Sequence, residues 1–227
     1  MKILSISDKI VDVIYSPACR EKFPDVDLLI SCGDLPYYYV EYVLTILDKP
    51  LYYVRGNHAS TVEYAQQGAR TEPRGAIDLH RKALTEKNLI FAGVEGNAGR
   101  LKTSLPFKHL ILAGVEGSIR YNTGDHQYTQ GEMWLMIYSL VPRLLWNRLA
   151  RGRALDVFVT HAPPCGIHDK TDRAHVGVDA FRWLDQTFRP KLHLHGHIHI
   201  YQHAEITETL FGETRVINTY GHRLTEI

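Results

Sequence analysis

The feature that most restricts the fold of this chain is a series of short apolar runs, each closed abruptly by a polar turn. Runs of strand length fall at 3–6, 26–31, 51–54, 89–94, 110–115, 156–160, 191–194, 201–206 and 215–218. Several are continuous rather than alternating, the pattern of strands buried on both faces. Helical patterns lie between them at 38–47, 77–87, 130–151 and 178–188. The first ends at Asp48-Lys49-Pro50, the last at Arg189-Pro190, and Pro142 should kink or split the third. The early strand-helix-strand order implies parallel pairing, and the strand-rich end implies a second, mixed sheet. The expected fold class is α/β, a four-layer α-β-β-α sandwich of two mixed sheets with helices outside. It should form a single domain over residues 1–227. A chain of this length buries roughly 70% of its unfolded surface, so it needs no disulfide staples.

The turns that close the runs carry residues of one chemical kind. Asp8 follows the first run and Gly33-Asp34 the second; Gly56-Asn57-His58 follows the third. Thr160-His161 closes the run at 156–160, and Gly196-His197-Ile198-His199 follows that at 191–194. In α/β sheets ligands bind beyond the carboxyl ends of the strands, so loops at one edge can bring these groups together. Carboxylate, amide oxygen and imidazole all bind divalent metals such as Zn, Mn and Fe. The glycines let the backbone turn sharply before each ligand. The two imidazoles of the last turn can reach different metals.

The order Asp, Gly-Asp, Gly-Asn-His, His, Gly-His-x-His resembles the calcineurin-like metallophosphoesterase superfamily, from Asp8 to His199. The resemblance implies that Asp34 bridges two metals. It implies that Asn57, His161 and His197 complete one site, and that Asp8 and His199 serve the other. His58 would stand over the phosphate as general acid, worth typically 10²–10⁴-fold. Two divalent ions, from among Mn, Fe, Zn and Ni, would polarise the phosphoryl group and acidify the attacking water. The sequence departs from the family pattern twice. Its first motif reads Asp8-Lys9-Ile10 where the family has Asp-x-His, so one metal position is weakened. Asp12 or water could fill the gap. Ala59 stands where the family carries an acidic residue after Gly-Asn-His, which removes a partner for the motif.

Other polar residues are open to blander readings. His193, His195 and His203 read as satisfied strand histidines. His168, Asp169, Asp172 and His175, and in the turn-rich loop at 117–130 Tyr121, Asn122, His126 and Tyr128, could contact substrate or simply be solvated. Of these, His126, Tyr128 and His168 are the named candidates for substrate binding. Tyr37, Tyr38 and Tyr39 read as aromatic packing. Ala92-Gly93-Val94-Glu95-Gly96 recurs as Ala113-Gly114-Val115-Glu116-Gly117, two similar strand-to-turn units rather than a solenoid.

The functional expectation is hydrolysis of a small phosphoester, a nucleotide among the options. Thr160-His161-Ala162-Pro163-Pro164 resembles the metallophosphodiesterase branch, which favours a diester over a monoester. A binding scaffold with a decayed site is the alternative that Ile10 and Ala59 suggest. A nuclease is third, because a net charge of +1 gives no broad electrostatic footprint for nucleic acid. Cys19, Cys32 and Cys165 are scattered and odd in number, which fits the reducing cytoplasm. No uncharged apolar run approaches the ~20 residues of a membrane span, so no membrane association is expected.

Overall fold

The computed structural model of the chain describes residues 1–65, 68–86, 110–202 and 204–227. In chain order its first elements are β1 (Lys2–Ser7), α1 (Ala18–Lys22), β2 (Leu28–Ser31), α2 (Tyr37–Leu47) and β3 (Leu51–Tyr53). Short strands β4 (Glu63–Ala65), β5 (Gly68–Arg70) and β6 (Ile77–Asp78) follow, then β7 (Lys82–Glu86) and β8 (Leu110–Val115). Next come β9 (Ser118–Ile119), β10 (Gln127–Tyr128), α3 (Gln130–Arg151), β11 (Val157–Thr160), α4 (Asp179–Phe188) and β12 (Leu192–His195). The chain closes with β13 (Glu208–Phe211), β14 (Thr214–Asn218) and β15 (Gly221–Glu226).

Two large mixed sheets result. One has the order β15-β1-β2-β3-β6, the other β13-β14-β12-β11-β8-β7. Pairing is parallel through β1-β2-β3-β6 and β14-β12-β11-β8. It is antiparallel at β15, β13 and β7.

Side-chain alternation explains the continuous apolar runs. Ile3, Leu28, Ile30, Tyr52 and Val54 of the first sheet pack against Leu112, Val157, Val159, Leu192, Leu194 and Ile217 of the second. Their neighbours along the strands point the other way. Leu4, Ile6, Leu29, Leu51 and Tyr53 meet α1 and α2 through Cys19, Tyr39, Val40 and Val43. Ile111, Ala113, Val115 and Phe158 meet α3 and α4 through Met133, Ile137, Leu140, Phe181 and Leu184. Each of β1, β2, β3, β8 and β11 therefore feeds two apolar interfaces, and the layers run helix, sheet, sheet, helix.

Four expectations need correction or completion. The pattern at 77–87 does not form a helix. Tyr52 and Tyr53 pair with Ile77 and Asp78, and residues 82–86 form an antiparallel ladder with β8. Long-range sheet pairing overrides the local pattern there. The described residues of the run at 201–206 form no strand, and the edge strand begins at Glu208. α3 runs unbroken through Pro142, started by a Thr129/Glu132 capping box and ended by Gly152 at φ 75°. The run at 89–94, with the first copy of the repeat, and His203 lie outside the described residues. Among the described residues no helix is long and apolar enough to cross a membrane.

Candidate metal centre

The carboxyl ends of β1, β2, β3, β11 and β12 open onto one edge of the sandwich. Asp8, Asp34, Asn57 and His161 follow the first four, and His197 and His199 follow β12. Backbone bonds stitch neighbouring turns within each sheet. Asp8 N–H donates to the Gly33 carbonyl (3.1 Å), and Gly196 N–H donates to the His161 carbonyl (3.0 Å). Asp8, Asp34 and His197 all have left-handed backbones, at φ 59°, 54° and 68°. Such conformations are unfavourable for non-glycine residues and persist only where the surroundings enforce them. Space is equally tight beside them. A β-carbon on Gly56 would collide with the Asp34 carboxylate, and one on Gly196 would lie 2.6 Å from Asp8 Oδ2.

Asp34, His161 and His197 each turn a ligand atom into one space, all within 4.8 Å of one another. His161 is fully buried. Its Nδ1 donates to the Cys32 carbonyl (2.8 Å), which leaves Nε2 facing Asn57 Oδ1 at 2.9 Å and Asp34 Oδ2 at 3.2 Å. Both oxygens are acceptors, so three lone pairs converge on a buried point that needs a positive charge. A proton on His161 can supply it. Burial opposes that charge, but the Asp34 carboxylate beside it raises His161 to about 9. Burial alone would raise Asp34, but His161 outweighs it and Asp34 falls to about 2. His197 Nε2 donates to the Ala174 carbonyl (2.8 Å), and burial with the neighbouring His161 lowers this ring to about 3. It is therefore neutral, with its other nitrogen free to ligate. This donor set of carboxylate, amide oxygen and two neutral imidazole nitrogens fits a divalent metal in place of the proton.

Asp8 and His199 form a looser pair beside this group. Asp8 accepts the His197 N–H on both carboxylate oxygens at 3.0 Å, and His199 Nε2 lies 3.8 Å from Asp8 Oδ1. Burial raises the Asp8 carboxyl above its ordinary range. The His199 side chain is 42% exposed, and its Nδ1 meets the Tyr201 hydroxyl at 3.1 Å. Ile10, two residues beyond Asp8, is 36% exposed, and Asp12 is exposed as well.

His58 is exposed over the same edge, and its backbone N–H donates to Asp34 Oδ1 (2.8 Å). Its ring is held by a residue that the sequence left open. The Tyr121 hydroxyl lies 3.2 Å from His58 Nε2 and accepts from Asn57 Nδ2 at 3.1 Å. By engaging the amide nitrogen, Tyr121 turns Asn57 Oδ1 toward His161. The only sequence signal for this residue was its place in the polar loop at 117–130.

The three candidate substrate residues are engaged away from the Asp34/His161/His197 group. His126 Nδ1 (3.1 Å) and the Tyr128 hydroxyl (2.7 Å) both bond to Glu116 Oε1. His168 lies between His195 Nε2 and Thr209 Oγ1, 2.9 Å from each, and burial with the nearby His193 lowers it to about 4. The strand histidines are satisfied. His193 bonds to Asp185 (2.7 Å) and Thr160 (2.8 Å), and His195 bonds to the Gly196 carbonyl (2.9 Å). His175 pairs with Asp172 at 2.7 Å. The Tyr37 hydroxyl holds the Ser60 and Thr71 carbonyls (2.6 and 3.0 Å), and Tyr39 is fully buried.

Two solved structures resemble the fold. TT1561 of Thermus thermophilus has a TM-score of 0.55 at 16% identity, with 97% of this chain and 89% of that one covered. A second crystal structure has a TM-score of 0.55 at 12% identity, with 98% and 93% covered. No curated protein matches the sequence. The sequence itself matches the calcineurin-like phosphoesterase family over residues 5–201, a span that holds every strand-end turn described above. The chain belongs to the calcineurin-like phosphoesterase family.

Proposed function

We propose that the chain hydrolyses a phosphodiester, with divalent metal held at the strand-end edge and His58 as the general acid. The observation that carries this reading is the convergence of Asp34, His161 and His197 on one buried point, with Asn57 Oδ1 turned to the same place. Asp34, Asn57, His161 and His197 would hold one metal. Asp8 and His199, with Asp34 shared, would hold a second. Bound divalent metal supplies Lewis-acid polarisation of the phosphoryl oxygens and a more acidic water.

The remaining work falls to the protein's own groups. The Cys32 and Ala174 carbonyls fix the ring orientations of His161 and His197, as partners behind metal ligands do. Asp34 holds the His58 backbone, so the acid and the metal site keep a fixed separation. His58, exposed over the edge, protonates the leaving oxygen, and Tyr121 orients its ring. The His126/Tyr128/Glu116 cluster braces the loop that carries Tyr121. The preference for a diester rests on the segment from Thr160 to Pro164 and on its likeness to the diesterase branch. At the Asp8/His199 position the exposed imidazole and missing nitrogen donor favour harder, water-tolerant ions such as Mn²⁺.

The test is turnover of bis(p-nitrophenyl) phosphate and p-nitrophenyl phosphate with added Mn²⁺, Ni²⁺, Zn²⁺ or Mg²⁺, and again after chelation. Metal-dependent diester cleavage abolished by the chelator is expected. No turnover of either ester with any metal would replace this reading with that of a binding scaffold.

A further inference from the structure

α3 is apolar on two opposite faces. One is the core face already described, formed by Met133, Met136, Ile137, Leu140 and Leu144. The other points to solvent. Leu149 is 84% exposed, Leu135 69% and Trp146 60%, with Tyr138 and Leu145 about half exposed. At roughly 100° per residue these five positions, with exposed Pro142, fall in one arc of about 100° along the helix, opposite the buried arc. The stripe continues sideways into an aromatic cluster. Tyr138 lies 5.4 Å from Trp134 and 5.8 Å from Trp183 of α4, ring centre to ring centre. Trp146 lies on the outer face, and Trp134 and Trp183 adjoin it, partly buried against the core.

Charge selects the occupant. Residues 133–155 contain no aspartate or glutamate, yet include Arg143, Arg148, Arg151 and Arg153. Arg143, Arg148 and Arg151 are exposed, and among the described residues no ion pair involves them. Arg143 and Arg148 flank the apolar stripe on either side. Arg81 reaches the same helix, donating from Nε to Ser139 Oγ at 3.4 Å. The chain as a whole carries only +1, so this is a local concentration of positive charge. A second copy packed on this face would set arginine against arginine with no acid between residues 133 and 155 to pair them. A stripe of leucine and tryptophan flanked by arginine suits a deformable surface that is apolar beneath and anionic above.

We infer that the outer face of α3 docks on an anionic lipid bilayer, lying in the interface with Leu135, Leu145, Trp146 and Leu149 inserted and Arg143 and Arg148 against the headgroups. Such docking is a surface contact and needs no membrane-spanning segment. It is independent of the hydrolytic reading, since none of these residues belongs to the metal centre.

The test is co-sedimentation of the full chain with vesicles of phosphatidylcholine alone, or of phosphatidylcholine with phosphatidylglycerol, at low and high salt. Tryptophan emission is followed in parallel. Binding to the anionic vesicles alone, weakened by salt and accompanied by a blue shift, is expected. Trp146→Ser/Leu149→Asp and Arg143→Glu/Arg148→Glu should each weaken binding on the order of tenfold or more. Circular dichroism and melting temperature establish that both variants fold. Absence of vesicle binding by the folded wild type overturns the inference, as does equal binding to neutral vesicles. Binding that survives in both variants overturns it too. A concentration-dependent dimer that is lost in Trp146→Ser/Leu149→Asp, with no lipid binding, would assign the face to a second copy instead.

Discussion

The Tyr121 hydroxyl lies 3.2 Å from His58 Nε2, across a separation of 63 residues, and the same oxygen accepts from Asn57 Nδ2. One phenol thus fixes both the ring of the proposed acid and the amide of a proposed ligand. Ala59 leaves the His58 motif without an acidic neighbour, and Tyr121 supplies a polar partner from elsewhere. Tyr121→Phe should lower kcat by about 3- to 10-fold, the loss of one ordinary hydrogen bond. The loss should grow with the basicity of the leaving group, since protonation of that group is the step it serves. Metal affinity should fall only modestly, because Asn57 keeps its oxygen donor. A uniform loss across leaving groups would make Tyr121 a packing residue only.

His58→Ala should lower kcat by roughly 10² to 10⁴ and leave metal binding intact. Its ring meets only Tyr121 among the site residues, and its tie to Asp34 runs through the backbone N–H, which alanine keeps. Metal analysis of the purified variant beside steady-state kinetics separates the two effects. Loss of metal would move His58 into the ligand set.

Gly56→Ala should abolish metal binding although Gly56 is not itself a ligand. The added carbon has no room beside the Asp34 carboxylate and must displace it. Asn57→Ala and His161→Ala should also lower metal affinity, by removing donors. Isothermal titration with Mn²⁺ and Zn²⁺ checks all three, and unchanged affinity in Gly56→Ala would mean that Asp34 is not a ligand.

Glu116 gives a pH prediction remote from the metal. Burial raises its carboxyl, but bonds from His126 and Tyr128 and the nearby His80 more than offset this and hold it at about 2. Its folded value is below the ordinary value of 4.5. The charged form is thus favoured by folding, and its contribution is fully present above pH 4.5. That contribution is lost as pH falls through the window from 4.5 toward 2. Glu116→Gln should therefore lower the melting temperature at neutral pH and converge on the wild type in acid. A difference that stays constant with pH would show that shape, and not charge, is what Glu116 contributes.

The sequence makes the candidate metal centre legible because each candidate ligand closes an apolar strand, so one local pattern places Asp34, His161 and His197 at one edge. Tyr121 carries no such mark. It sits in a loop without periodicity, and its partners come from another sheet. The strands at 77–86 were hidden for a related reason, since Ile77 and Asp78 owe their conformation to Tyr52 and Tyr53, not to their neighbours in sequence. β15 was missed because Gly221–Glu226 is largely polar, an edge strand fixed only by its ladder with β1. The outer face of α3 was obscured by its own composition. Apolar residues on both faces erase the one-sided period that tells core from surface.

The last prediction concerns Ile10. The proposed position built on Asp34, Asn57, His161 and His197 would have four protein ligands around a buried point. The proposed position built on Asp8, Asp34 and His199 would have three, and its imidazole is 42% exposed with Nε2 3.8 Å from Asp8. An apolar side chain, itself partly exposed, stands two residues past Asp8 where the family has a histidine. The two positions should therefore bind metal unequally, one tightly and one weakly with water completing its shell. Ile10→His adds a nitrogen donor and should raise affinity at the weak position, with activity gained mainly at low metal concentration. Titration of wild type and variant should give two unequal steps in the first and two closer ones in the second. Anomalous scattering from crystals at limiting metal should give partial occupancy beside Asp8 and His199 in the wild type. Two positions equally occupied and of equal affinity in the wild type would show that water or another group already compensates for Ile10.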